Sequence, residues 1–244
     1  NPDYARSPEA RLGLAWTLLN LGGEKAKEGE TILDVIARNP DSPELAQNAR
    51  LVHARWQVRA GRPTEAAQTL TDLLVSQPSA PARLEAHFWL GEILLSAGDY
   101  PKALGHFEQI PSEVGPVRAD LLMFASLRRG ECALATGDAA KALESLEKVL
   151  VGGTEEAARL TAARKMIEAA AKAGSLRDTL SRLRRTADEE TDAHVAGPCL
   201  LAIAEAELAS GQHEAAITTW NAIAKRFPNT SWASAALSRA GETI

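Results

Sequence analysis

The side chains of this sequence best able to bind a metal or attack an electrophile are its five histidines and two cysteines, and their spacing is wrong for either task. His53, His87, His106, His194 and His213 form no His-Glu-x-x-His pair, which would set two imidazoles on one helix face, and Cys132 and Cys199 form no Cys-x-x-Cys. Gly22-Gly23 and Gly152-Gly153 lack the lysine of a phosphate-binding loop and read as helix punctuation. No catalytic residue, metal ligand or cofactor site is therefore predicted. Cys132 and Cys199, each among apolar neighbours, are expected to be buried free thiols. His87 reads as a packed or half-exposed helix residue, and Trp16, Trp56, Trp89, Trp220 and Trp232 as packing residues. Glutamate is the polar residue that recurs: Glu92, Glu131, Glu168, Glu205 and Glu242 follow one another at intervals of 39, 37, 37 and 37, with Arg55 and Thr17 at the matching earlier places. A column of carboxylates at such spacing can hold a charged partner or pair with bases of its own chain.

Such a column needs repeated elements to carry it. In Leu90 to Gln109, LGEILLSAGDYPKALGHFEQ, apolar residues at helical offsets run up to Gly98-Asp99 and resume at Tyr100, Ala103, Leu104 and Phe107. The pattern predicts a helical hairpin, with Gly98 ending the first helix and Asp99 capping the second. One hairpin cannot bury both its faces, so it requires neighbours. Turn glycines at 23, 61, 98, 137, 174 and 211 supply them, at intervals of 38, 37, 39, 37 and 37.

Leu90-Gly91, Gly98, Tyr100, Ala103 and Phe107 resemble the tetratricopeptide repeat at each of those places, although Gly115 stands where that family closes with proline. The proline does follow Gly23, Gly61 and Gly211 by seventeen residues, at Pro40, Pro78 and Pro228. The period exceeds the family's usual ~34 residues and falls short of the roughly 40 to 47 of HEAT and armadillo repeats. A longer first helix accounts for the excess, and this variant is similar to repeats of bacterial cell-envelope proteins, such as those of the Tol-Pal coordinator and the outer-membrane assembly lipoprotein.

The resemblance implies an all-α, right-handed solenoid with repeats at about 8–40, 43–78, 81–115, 117–153, 155–191 and 196–228 and a terminal helix at 231–244. It implies a non-catalytic scaffold that binds a protein or peptide on its concave face. It also places the Glu column on that face, beside Phe88, Leu127, Arg164 and Leu201 four residues earlier and Leu95, Leu134, Ala171 and Leu208 three residues later. Arg55, Phe88, Glu92, Leu127, Glu131, Arg164, Glu168, Leu201 and Glu205 are then the candidate partner-binding residues. An apolar groove with an acidic ridge would suit a basic or amphipathic segment. Against this, Arg128, Arg164 and Lys165 lie close to the column, so each Glu can instead pair with a base in its own or the next repeat. Both readings remain open on sequence, as do self-association and a role as accessory helical domain of a larger cell-envelope enzyme.

Composition narrows the field. A net charge of -5 argues against nucleic acid, whose readers carry a basic face. The run Arg177, Arg182, Arg184, Arg185 is followed by Asp188, Glu189, Glu190 and Asp192 and reads as a solvated outer face of the most degenerate, fifth repeat. No apolar run reaches the ~18 residues of a membrane helix, so direct insertion of this segment is not expected. Asn1-Pro2-Asp3 resembles Asn39-Pro40-Asp41, the expectation for a piece of a longer chain, and the terminal helix reads either as the first helix of a seventh repeat stopped before its turn or as a natural cap that shields the last apolar face.

Overall fold

The computed structural model describes residues 7–39, 41–110, 119–153 and 155–243. Pro2, Pro40 and Gly115 and the expected helix start at 117 lie outside them. Among the described residues there are thirteen α-helices and no strand, arranged as successive hairpins, so the fold is all-α as expected. The chain divides into two compact units, Asn1–Ile110 and Pro111–Ile244.

The first unit holds α1 (Pro8–Leu21), α2 (Gly23–Ala37), α3 (Pro43–Arg59), α4 (Pro63–Val75), α5 (Ala80–Ser96) and α6 (Tyr100–Glu108). The first helices of its three hairpins, α1, α3 and α5, lie side by side. The second unit holds α7 (Ala119–Ala135), α8 (Ala139–Gly152), α9 (Glu156–Ala173), α10 (Leu176–Glu189), α11 (Ala193–Ala209), α12 (His213–Arg226) and α13 (Ser231–Thr243). Here α7, α9, α11 and α13 form the corresponding row.

The turns repeat one local solution. Gly98 and Gly137 take left-handed φ values of 77° and 83°, and the residue after each donates its backbone N–H five residues back, Asp99 to Leu94 and Asp138 to Ala133, at 2.9 and 2.8 Å. This six-residue closure satisfies a carbonyl that the helix end leaves free. Both aspartates then cap the next helix, accepting from the N–H of Lys102 and Lys141.

Small residues set the close approaches within hairpins. Ala66, Ala103, Ala142 and Ala216, each five residues after its turn glycine, are fully buried. On the opposing helix, a Cβ added to Gly91 would sit 2.6 Å from the Phe107 ring, and one added to Gly130 would sit 2.5 Å from Leu146. Each of these glycines directly precedes a column residue. With about 100° of helical rotation per residue, Glu92 and Glu131 turn off the buried seam and come out half-buried.

The helix expected from residue 196 begins three residues sooner, at Ala193. Asp192 caps it by accepting the His194 N–H at 2.8 Å. Gly197 then receives the Trp232 indole of α13, which would lie 2.7 Å from an added Cβ. Helices on several sides cover α11, and every residue from Val195 to Ala204 is buried.

Candidate functional site

In the first unit the column position of α3 is Arg55, whose guanidinium carbon lies 5.8 Å from the Trp16 ring centroid on α1 and 5.5 Å from that of Trp89 on α5. Arg55 thus joins three consecutive first helices by cation–π contact. Its Nη1 is 3.7 Å from Glu85, and its side chain remains 42% exposed. Arg59, one turn on, also lies over Trp16, at 5.7 Å, and donates to the Asn20 side-chain oxygen. Phe88 is half-buried and edge-on to both Trp89 and Phe107. The result is an arginine and aromatic stripe. Trp220 and Trp232 are buried as expected, whereas Trp16 and Trp89 keep part of their surface on this stripe.

In the second unit the column is tied by ion pairs. Glu131 on α7 lies 2.7 Å from Arg128 of its own helix and 3.3 Å from Lys165 on α9. Arg164 on α9 donates through Nε and Nη2 to the two carboxylate oxygens of Glu205 on α11, at 2.7 and 2.6 Å. Glu205 raises the pKa of Arg164 through these hydrogen bonds. Glu168 pairs with Lys172 of its own helix at 3.0 Å and is half exposed. Leu127 and Leu201, expected at the partner-binding face, are instead buried in the core of the unit.

Some of the polar geometry escaped the sequence reading. Buried Gln57 accepts from the Thr69 hydroxyl at 3.0 Å, and Glu207 accepts from Thr219 at 2.8 Å and from Arg184 at 2.8 Å. Both Thr pairs span twelve residues and sit at the same place in their repeats, a coincidence visible in the sequence. His87 on α5 and His106 on α6 also meet, Nδ1 to Nδ1 at 3.1 Å. Burial lowers the pKa of both rings, and for His87 the nearby His106 and Arg83 lower it further.

Cys132 and Cys199 are buried free thiols. Burial pushes Cys199 up to about 12, which leaves it protonated and unreactive at neutral pH. Among the described residues, no group of three or more His, Cys, Asp or Glu side chains could hold a metal ion, and no helix is long and apolar enough to cross a membrane.

Successive hairpins with side-chain bridges between consecutive first helices define a helical-repeat protein. Tetratricopeptide-repeat models match residues 51–114, 124–151 and 199–230, just over half of the chain, and the chain belongs to that family. A comparison with curated proteins finds no match.

Proposed function

We propose that this chain is a non-catalytic scaffold that holds a protein segment against the first-helix faces of its hairpins. Tetratricopeptide repeats mediate protein–protein interaction. The observation that carries the reading here is the stripe of Trp16, Arg55, Trp89 and Phe88, because partly exposed tryptophan and arginine are the residue types that dominate binding energy at interfaces. Glu131, Glu168 and Glu205 already pair with bases of the chain, so a basic or amphipathic segment would exchange for those bases and gain chiefly specificity from the column.

The test starts from partner capture with the whole chain and continues with titration of the best hit. Arg55→Ala with Trp89→Ala should weaken that partner by at least ~30-fold, the loss of a hot spot of about 2 kcal/mol. Glu131→Gln with Glu168→Gln should weaken it less and flatten its salt dependence. Affinity unchanged in both folded variants overturns the reading, and a mass that rises with concentration in light scattering would point to self-association instead.

A further inference from the structure

We propose that His87 and His106 form a two-imidazole chelate for a divalent transition cation, with Cu²⁺ preferred over Ni²⁺ and Zn²⁺. The two rings come from opposite helices of one hairpin, α5 and α6, and their Nδ1 atoms are 3.1 Å apart with ring centroids at 5.3 Å. At that separation only one proton fits between the nitrogens: one ring donates it and the other receives it in a lone pair. A cation can take the place of that proton. Two bonds of about 2.0–2.1 Å to imidazole nitrogen place the nitrogens about 2.9 Å apart when they meet at a right angle and about 3.4 Å apart at the tetrahedral angle. The observed spacing falls between these limits, so the two nitrogens already stand at a chelating separation.

Imidazole ligands suit copper, nickel and zinc, and among these the affinity of a nitrogen site is highest for Cu²⁺. Two protein ligands leave the remaining positions to water or to a donor from a bound partner. Because His87 and His106 lie nineteen residues apart and meet only in the folded hairpin, the cation binds the native state and stabilises it by mass action. His53 faces Glu30 and Asp34, and His194 faces Glu156, so neither of these meets a second imidazole in those contacts.

The test uses the whole chain without an affinity tag, titrated with CuCl2, NiCl2, ZnCl2 and MgCl2 by calorimetry and followed by thermal unfolding. Saturable binding of one Cu²⁺ is expected, with weaker Ni²⁺ and Zn²⁺, no effect of Mg²⁺, and a melting temperature that rises with cation concentration. His87→Gln and His106→Gln should each lose at least tenfold in affinity and abolish the thermal shift while keeping the helical circular dichroism spectrum. Absence of saturable binding, or binding equally strong in both variants, overturns the proposal. NMR of the unsubstituted chain supplies a check that needs no variant: Zn²⁺ should move the ring resonances of His87 and His106 first, and movement confined to His53, His194 or His213 overturns the assignment.

Discussion

Arg164 and Glu205 meet in two parallel charge-assisted hydrogen bonds, 2.7 and 2.6 Å long, that cross from α9 to α11. The pair links the first helices of consecutive hairpins. Lys165, the next residue on α9, reaches in the other direction to Glu131 on α7, so adjacent residues tie α9 to both of its neighbours. Within the second unit these bridges fix one first helix against the next.

The strength of that tie can be read from a double-mutant cycle of Arg164→Met and Glu205→Gln under urea denaturation. Arg164 is 47% exposed and Glu205 22%, so solvent screens the attraction and the coupling should be about 0.5–1 kcal/mol, the upper part of the range for surface pairs. It should shrink in high salt. A coupling indistinguishable from zero would mean that the pair adds nothing to stacking.

Packing inside the α7/α8 hairpin should be far less forgiving. Gly130→Ala would place a methyl 2.5 Å from the Leu146 side chain, and Ala142→Leu would enlarge a fully buried contact. Each should cost about 1–3 kcal/mol with little change in the denaturant m-value. A midpoint equal to the parent's in either variant would show that the seam is looser than its geometry.

The His87 and His106 pair makes the first unit sensitive to acid. Both folded-state pKa values lie below the ordinary 6.5, so the unfolded chain binds more protons as pH falls through that value. The contribution is fully present above pH 6.5 and is lost progressively as pH falls below it. Arg83 acts in the same direction on His87. In metal-free buffer, stability should drop between pH 7 and pH 5, and His87→Gln with His106→Gln should flatten the profile. An identical pH profile for this double variant would remove the pair as the cause.

Hydrogen exchange should find α10 the softest helix of its unit. It buries only Thr179, Leu183 and Ala187, whereas α8, of equal length, buries Ala142, Ser145, Leu146, Val149 and Leu150. Less apolar area holds α10 against opening, so its amides should exchange faster than those of α8. Equal protection in the two helices would contradict the link between burial and local stability.

Much of the fold was legible in the sequence because it is set locally. A glycine that can take positive φ, an aspartate able to cap, and apolar residues at helical offsets act within a few positions of themselves, and Gly98 with Asp99 behaves as its residues dictate. The spacing of the turns then selected the four alanines of the hairpin seams. The start of α11 was missed although its signal is local, since Asp192 caps it by accepting the N–H of His194 two residues on; what lay beyond the sequence was the packing of Trp232 against Gly197, from a helix some thirty-five residues away.

The sequence alone determined the hairpins, the repeat and the existence of a Glu column. The tertiary structure alone decided what each polar residue meets: Glu205 reaches Arg164 in the preceding hairpin, Glu168 reaches Lys172 in its own helix, Arg55 lies between Trp16 and Trp89, and His87 finds His106. Long side chains reach several ångströms in more than one direction, and their partners lie on helices distant in sequence. Only the spacing and rotation of those helices against one another select among the contacts that residue types permit.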